Sequence, residues 1–365
     1  MPKQYLNTNW RIFKTTPGKS IAEVVLMFIP KRVFFEREAL DYPLGRRLFE
    51  RFKQDRIPVA MTGSHNRVTG IPGTTPREAY LEAKRTLVVG VRRTMQFSTC
   101  KPSAHYQLPL CTSCTGLCEY CYLNTTLGKK PYVRVYVNIE EILQQAEKYI
   151  KKRSPEITVF EGAATSDPIP VEPYTGSLAK TIEFFGGQSL GRFRFVTKFT
   201  GVDTLLGVEH NGHTRFRFSI NTERIIKAYE QGTPAAKARI AAARQVAGTG
   251  YPMGFLIAPV FVYPGWQEDY TGLIRSLAGE LRDYPRDQIT FELISHRFTA
   301  SAKNRIQEVF PETTLPMEES ERRFKFGQFG YGKYVYPKET LREMDELFRR
   351  ELDRYFPGAR VEYLV

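Results

Sequence analysis

The 365-residue sequence predicts an α/β fold built on a parallel sheet. Apolar strand patterns alternate with amphipathic helix patterns through the middle of the chain. The residues are 42% hydrophobic and 25% charged, as in ordinary globular proteins. Six alternating strands are too few for a complete eight-stranded barrel, and no G-x-G-x-x-G follows the first strand. A barrel and a doubly wound sheet both remain open from the pattern alone.

Element by element, residues 1–25 predict a loose extension, and residues 26–365 predict a single domain. "VVLMFIP", "PKRVFFE" and "RTLVVGVRR" predict strands, and "ALDYPLGRRLFERFKQ" predicts a helix. The strands expected in the alternating region are "YVRVYVN", "ITVFEG", "FRFVTK", "TRFRFSIN", "MGFLIAPVF" and "QITFELI". The helices expected between them are "EEILQQAEKYIKKR", "SLAKTIEFFG", "AAKARIAAARQVAG" and "DYTGLIRSLAGELRD".

The C-terminal part has a different pattern. In residues 322–336, "RRFKFGQFGYGKYVY", aromatic and basic side chains alternate around two glycines, which predicts a β-hairpin. The last predicted element is an amphipathic helix, "KETLREMDELFRRELDRYF".

The net charge of +14 favours a polyanionic partner, most often nucleic acid, although a merely basic soluble enzyme has the same charge. The sequence has no run of about 18 apolar residues and no apolar signal segment at its start. We therefore expect no membrane partner and a cytoplasmic location.

Four of the five cysteines lie in one short loop, "CTSCTGLCEYCYLNTT". An odd count without a signal segment disfavours a disulfide framework. Cys114, Cys118 and Cys121 form C-x3-C-x2-C, which can hold three irons of a cubane cluster and leave the fourth iron open. A zinc site would pair Cys111 with Cys114, too close to the second pair to wrap a metal tetrahedrally. Iron–sulfur ligation is favoured over zinc and over free thiols.

C-x3-C-x2-C with tyrosines beside the last cysteine resembles the signature of the radical S-adenosylmethionine (SAM) superfamily. The resemblance implies a partial (β/α)6 TIM-type barrel, a [4Fe–4S] cluster and SAM as cofactor. In that superfamily the reduced cluster cleaves SAM to a 5′-deoxyadenosyl radical. A fourth ligand from Cys111 would close the open iron, so Cys111 is interpreted as an unligated thiol.

Several segments together resemble the spore photoproduct lyase family: "CEYCYLNTTLGKKPYVRVYVN", "FEGAATSD", "GRFRFVTKF", "NGHTRFRFSIN", "FELISHRFT" and "FGYGKYVY". The resemblance implies repair of 5-thyminyl-5,6-dihydrothymine in double-stranded DNA, in the cytoplasm of a spore-forming bacterium. The radical takes hydrogen from C6, the bond between the thymines breaks, and a cysteine returns hydrogen to the methyl carbon. An electron donor such as flavodoxin or ferredoxin is implied, and we expect a monomer.

The family's hydrogen-donating cysteine lies in a segment that resembles "EAACTSD", where this chain has Ala164. The chain is therefore an inactivated variant, a protein of different function, or an enzyme in which another thiol acts. Cys100 is the preferred donor, with Cys111 as the alternative. The resemblance assigns a hydrogen relay to tyrosines beside the radical site, and packing against the cluster and adenine is the alternative for them. We expect Tyr122 to relay hydrogen and Tyr120 to contact SAM.

By resemblance, Ser166, Lys198 and Ser219 contact SAM, with Lys198 at its carboxylate, and we add Asn221 because it also follows a predicted strand. Ordinary loop capping is the alternative for the serines. The predicted DNA contacts are basic side chains for phosphates, aromatic side chains for a flipped lesion, and two residues after "FELIS". They are Arg323, Lys325, Lys333, Tyr331, Tyr334, His296 and Arg297.

Two other functional classes stay open. The chain could be a radical SAM enzyme that modifies RNA or a peptide, in which Cys100 has no role. It could also be a non-enzymatic DNA-binding module held together by zinc.

Overall fold

A computed structural model describes residues 10–12, 26–326 and 332–365, with the backbone alone for residues 10–12, 26 and 27. In these ranges no helix combines the length and apolar character that crossing a bilayer requires. Most of the predicted 1–25 extension lies outside the described residues. Its described part, Trp10–Ile12, pairs antiparallel with Leu26–Phe28.

The strands in chain order are β1 (Trp10–Ile12), β2 (Leu26–Phe28), β3 (Arg32–Glu36), β4 (Val59–Thr62), β5 (Thr86–Gly90), β6 (Thr99–Cys100), β7 (Ala104–Gln107), β8 (Cys111–Thr112), β9 (Leu117–Cys118), β10 (Val133–Tyr136), β11 (Thr158–Glu161), β12 (Gly191–Thr197), β13 (Thr214–Ile220), β14 (Glu230–Gln231), β15 (Met253–Val260), β16 (Thr290–Ser295), β17 (Arg323–Phe326), β18 (Gly332–Val335) and β19 (Arg360–Leu364). The α-helices are α1 (Pro43–Gln54), α2 (Pro76–Lys84), α3 (Leu123–Thr126), α4 (Ile139–Arg153), α5 (Glu172–Thr175), α6 (Ser177–Gly186), α7 (Glu223–Tyr229), α8 (Ala236–Ala247), α9 (Trp266–Glu280), α10 (Ala300–Val309) and α11 (Lys338–Tyr355).

The chain divides into two compact units. The first unit comprises residues up to Thr115, Lys129–Phe193 and Phe199–Glu209. The second unit comprises Gly116–Gly128, Arg194–Lys198 and His210–Val365. The single domain expected over residues 26–365 stays a prediction.

In the first unit, a five-stranded sheet has the order β4-β3-β5-β10-β8. β3 is parallel to β4 and β5, and β10 is parallel to β5. Every residue of β5 is buried, as expected of a parallel strand covered on both faces. Because β3, β5 and β10 are parallel, their carboxyl ends lie at the same edge of the sheet. A second set of strands pairs β7 in parallel with β11 and antiparallel with β6.

Helix α1 shows how sequence determines a boundary in the first unit. The predicted helix began at Ala39, but residues 37–41 form a 3-10 turn and the α-helix starts at Pro43. Proline is favoured at a first helical position because its missing N–H has no partner there anyway. The Cβ of any other residue at Gly45 would lie 1.7 Å from the Ala39 carbonyl oxygen. The glycine thus permits the close approach of the turn and the helix.

In the second unit, β13, β15, β16 and β19 form a parallel series in which helices connect successive strands. Glu292, on β16 of this series, is only 1% exposed and forms ion pairs with Arg194 and Arg217. The hydroxyl of Tyr363 donates a hydrogen bond to the same carboxylate at 2.5 Å. β17 and β18 form an antiparallel pair, which confirms the predicted hairpin strands. The predicted turn, including Tyr331, lies outside the described residues.

Glu172 is a buried carboxyl group that begins α5 in the first unit and lies against the first turn of α6. Its oxygens accept hydrogen bonds from the backbone N–H groups of Leu178 and Ala179, at 2.8 and 3.0 Å. Burial raises the pKa of Glu172 to about 7 in spite of these hydrogen bonds, which lower it. The folded state therefore binds this proton more tightly than the unfolded chain, where the pKa is about 4.5.

We expect the free energy of unfolding to lose a contribution of about 3 kcal/mol from Glu172 as pH rises from 4.5 to 7. The contribution is complete below the unfolded pKa and lost as pH passes the folded one. Urea unfolding across this range, compared with Glu172→Gln, measures it. Glu183→Gln, on the exposed face of α6, is the control and should follow the wild type. An unchanged difference between wild type and Glu172→Gln across the range would contradict the assignment.

Candidate active site

The polar centre of the second unit is the carboxylate of Glu230, a fully buried group. Lys198, immediately after β12, donates to Glu230 Oε1 at 3.1 Å, to Ser219 Oγ at 2.9 Å and to Tyr120 Oη at 3.2 Å. The Tyr120 hydroxyl in turn donates to Glu230 Oε1. Two residues of the predicted SAM site, Lys198 and Tyr120, therefore bond to a carboxylate that the sequence did not single out, and Ser219 joins them through Lys198.

Arg239 on α8 completes this centre. Its guanidinium donates to Glu230 Oε2 at 2.6 Å and to the Ser219 carbonyl oxygen at 3.1 Å, and its side chain is 0% exposed. Burial alone would raise the pKa of Glu230, but Arg239 and Lys198, with the Tyr120 hydrogen bond, hold it at about 2. Glu230 is thus ionised, and it forms ion pairs with the buried Arg239 and the partly exposed Lys198.

The cysteine loop is joined to this centre through backbone pairing in the second unit. β9 pairs antiparallel with β14, with Cys118 opposite Glu230. Asn124 donates to the carbonyl oxygens of Cys118 and Glu119, each at 3.2 Å, and Cys121 N–H donates to the Cys118 carbonyl at 3.2 Å. Cys118 is buried and Cys121 half-buried. Hydrogen bonds therefore hold the turn between these two cysteines in place. Neither thiol forms a disulfide.

In the first unit, the structure places the other two loop cysteines in different surroundings. Cys114 is half-buried, and its carbonyl oxygen accepts from Lys84 Nζ at 2.7 Å. Cys111 lies in β8 opposite Val135 and belongs to the apolar core. Burial raises the pKa of the Cys111 thiol to about 12, so it stays protonated.

Cys100 is on the β6–β7 hairpin of the first unit, across from Ala104, and is half-buried. The neighbouring strand β11 ends at Glu161 and continues into the loop that carries Ala164. The buried Glu161 carboxylate accepts from Ser103 Oγ at 2.9 Å and from Ala163 N–H at 3.1 Å. One carboxylate therefore connects the hairpin of Cys100 with the loop of Ala164. The sequence prediction missed Glu161, although it directly precedes the loop.

Two predicted site residues lie in surroundings that argue against their predicted contacts. Asn221 is 0% exposed: its Nδ2 donates to the Pro259 carbonyl at 2.8 Å, and its Oδ1 accepts from Tyr270 Oη at 2.9 Å. His296 is 2% exposed and stacks on Phe261 with ring centroids 4.5 Å apart. Both side chains hold strand ends in place, whereas Arg297 beside His296 is exposed.

The hairpin β17–β18 separates its side chains by face, because successive residues of a strand alternate. Phe324 pairs with Tyr334, and Lys325 with Lys333. Phe324 and Phe326 are exposed large apolar side chains at 50% and 75%, a signal that the sequence prediction did not use. Burial and then the charges of Arg297 and Lys325 lower the pKa of Lys333, which shows how closely the cations gather.

The chain combines a parallel α/β fold with a cysteine loop, and polar side chains follow the strands of the fold. These features together define a radical SAM enzyme. The family model described as "Spore photoproduct lyase" matches residues 28–365. A spore photoproduct lyase from a Geobacillus species is 52% identical over 338 residues, which are 93% of this chain and 99% of that protein. The chain belongs to the spore photoproduct lyase family.

Two solved structures of spore photoproduct lyase are similar to this chain, each with a TM-score of 0.90, which confirms the predicted fold class. One is a double mutant, cysteine to alanine and serine to cysteine, with bound AdoMet and dinucleoside spore photoproduct. It is 52% identical and covers 93% of this chain and 99% of its own. The other is a tyrosine-to-phenylalanine mutant at 51% identity, with the same coverage of both chains.

Glu230→Gln should lower the free energy of unfolding by about 3–5 kcal/mol, because it leaves the fully buried guanidinium of Arg239 without a counter-charge and removes the ion pair of the partly exposed Lys198. Denaturant unfolding of the full chain measures the change. Glu280→Gln, in an exposed pair with Arg244, is the matched control and should stay within about 0.5 kcal/mol of wild type. Equal stability of the two variants would exclude Glu230 as the organising charge.

Proposed function

We propose that this chain reverses the spore photoproduct in DNA to two thymines by radical SAM chemistry. The observation that carries the proposal is its similarity, at 52% identity and a TM-score of 0.90, to a spore photoproduct lyase with bound AdoMet and lesion. The substrate is double-stranded DNA that contains the lesion. A one-electron donor such as flavodoxin or ferredoxin supplies the reducing equivalent, and the protein acts as a monomer in the cytoplasm.

Cys114, Cys118 and Cys121 hold a [4Fe–4S] cluster. The donor set fits this role: three cysteines lie within eight residues, and none of them forms a disulfide. When bound, the cluster supplies the electron that cleaves SAM. The hydrogen bonds of Asn124 and the pairing of Cys118 with Glu230 fix the backbone that carries two of these ligands. Cys111 is not a ligand, since its thiol belongs to the core of the first unit.

Lys198 and Ser219 bind SAM, with Ser166 as a further contact. Lys198 Nζ lies 3.1 Å from Glu230 Oε1, 2.9 Å from Ser219 Oγ and 3.2 Å from Tyr120 Oη, which together occupy its three donors. Pairing with the SAM carboxylate would replace one of these acceptors, while the other two keep Nζ in position. Tyr120 bonds to the same lysine and to Glu230, so its hydroxyl lies beside Lys198 Nζ. We leave Asn221 out of the SAM contacts because its amide already bonds to Pro259 and Tyr270.

Cys100 returns hydrogen to the methyl carbon of the departing thymine. The spacing between the two substituted positions of the double mutant equals the spacing between Cys100 and Ala164 in this chain. The two substitutions give that mutant the same pair of residues as this chain, which has no cysteine at position 164 of the loop and a cysteine at position 100 of the hairpin. The position of the tyrosine-to-phenylalanine mutant, counted from that serine, corresponds to Tyr122. Tyr122 is 54% exposed and serves as the hydrogen relay.

Incubation with dinucleotide spore photoproduct, SAM and a reductant under anaerobic conditions tests the function after reconstitution with iron and sulfide. We expect the release of thymidylyl-thymidine. SAM cleavage without repair of the lesion would overturn the proposal in favour of another substrate.

In the same assay, Cys100→Ala should still cleave SAM and open the lesion, but should yield adducts of the thymine radical in place of thymidylyl-thymidine. Adding Ala164→Cys to this variant should restore the repaired product, because it returns a thiol to the loop. Cys111→Ala discriminates between the two thiols. Normal repair by Cys100→Ala, or adducts from Cys111→Ala alone, would overturn the assignment of Cys100.

The hairpin β17–β18 binds the DNA around the lesion. Arg323, Lys325 and Lys333 neutralise phosphates, with Arg297 beside them and Tyr334 and Tyr331 as aromatic contacts. The exposed rings of Phe324 and Phe326 can occupy the gap that a flipped lesion leaves. His296 acts beneath this surface: its carbonyl oxygen accepts from Arg322 Nη1 at 2.9 Å, which anchors the start of the hairpin.

Lys325→Ala should weaken binding to lesion-containing duplex and reduce the slope of log K against log salt by about 0.9, the value of one lost phosphate contact. Phe326→Ala should weaken binding to the lesion duplex more than to undamaged duplex, with an unchanged slope. Fluorescence anisotropy across a salt series measures both. Arg342→Ala, on the exposed face of α11, is the control. An unchanged slope for Lys325→Ala would remove the hairpin from the DNA interface.

A further inference from the structure

A cavity of about 260 Å³ lies in the first unit beside the loop of Ala164. Its wall comes from the loop after β5, the segment after β7, strands β8 and β10, and the loop after β11. The lining residues on which the argument depends are Arg92, Arg134, Thr112, Tyr136, Ala164 and Thr165.

The lining of this cavity contains two arginines and no carboxylate. Arg134 is on β10, and Arg92 follows β5, the parallel neighbour of β10. Thr112, opposite Arg134 in β8, and Tyr136 contribute hydroxyl groups 3.1 Å apart. Both charged side chains of the lining are therefore cationic, and the walls offer hydrogen-bond donors.

Several donors of the two guanidinium groups have no protein acceptor. Arg92 Nε donates to the Thr94 carbonyl at 2.8 Å, and Arg134 Nη1 donates to Asn66 Oδ1 at 3.0 Å. Arg134 Nε is buried without a partner. Among the described residues, neither Nη of Arg92 nor Nη2 of Arg134 has an acceptor, and no carboxylate pairs with either arginine. Arg134 Nε is the one buried donor among them, and leaving it without an acceptor is costly. An anionic ligand in the cavity would give acceptors to this donor and to the accessible Nη groups.

We propose that Arg92 and Arg134 bind a phosphate of the lesion strand, which rests on the proposed function. If Cys100 returns the hydrogen as proposed, the thymine that receives it lies at the Cys100 hairpin, which Glu161 connects to the loop of Ala164. A phosphodiester joins that thymidine to its neighbour. Guanidinium groups match phosphate oxygens with two parallel hydrogen bonds. The cavity has about the volume of nine water molecules, enough for a phosphate with a few waters.

The bridging phosphate between the two thymidines is the occupant that we assign. Three substrates separate it from other sources of the same charge: the dinucleotide lesion with its phosphodiester, the same lesion with an uncharged methylphosphonate bridge, and a tetranucleotide with a methylphosphonate bridge and charged flanking phosphates. The variants are Arg92→Ala, Arg134→Ala and Arg134→Lys in the full reconstituted chain. Arg37→Ala, an exposed arginine of the same unit, is the control.

On the phosphodiester lesion, each alanine variant should lose about tenfold to hundredfold in kcat/KM, with Arg134→Lys intermediate. On the methylphosphonate dinucleotide, the decrease in kcat/KM caused by each alanine variant should be at least tenfold smaller. If the full decrease appears again on the tetranucleotide, the arginines contact a flanking phosphate, and the assignment to the bridging phosphate is wrong. Equal losses on all three substrates would overturn the phosphate site itself. A wild-type chain that repairs none of them would instead refute the proposed function.

Discussion

One buried carboxylate, Glu230, joins the elements of the second unit that carry the candidate site. Glu230 pairs with Arg239 on α8 and Lys198 after β12, accepts from Tyr120, and belongs to the short strand opposite Cys118. A charge buried at this depth is tolerable only with its partners in place. Because Glu230 needs these partners close to its carboxylate, it also fixes the relative positions of α8, the end of β12 and the cysteine turn.

The elements with a clear hydrophobic period were predicted from sequence, and those defined by other signals were not. β5 is a continuous buried run and α11 has an apolar stripe, so both were found. α2 was missed, although Thr75 and Glu78 form a capping box and Pro76 starts the helix. β19 was missed because Arg360 and Glu362 interrupt its pattern. These signals are local, and a closer inspection of capping residues would have found the helix.

Some residues of the candidate site were predicted from the sequence, and others were not. The cysteine spacing and the resemblance pointed to the loop, the lysine and the serines, whereas Glu230, Arg239 and Glu161 were not singled out. A single glutamate in "AYEQG" has no pattern that marks it as buried, because its partners lie on other elements. Asn221 and His296 show the converse: a polar residue at a strand end also serves the scaffold. Pairings between distant segments are a property of the folded chain, so sequence periodicity does not contain them.

The exposed phenylalanines of the hairpin have a consequence for how the protein behaves in solution. Phe324 and Phe326 would favour association between copies, since apolar surface is driven out of water. The hairpin cations and the net charge of +14 oppose that association through mutual repulsion. Salt screens repulsion between exposed charges but leaves apolar attraction in place. Colloidal stability is therefore greatest at low ionic strength, where attraction to DNA is also strongest, so solubility and nucleic-acid affinity depend on the same charges.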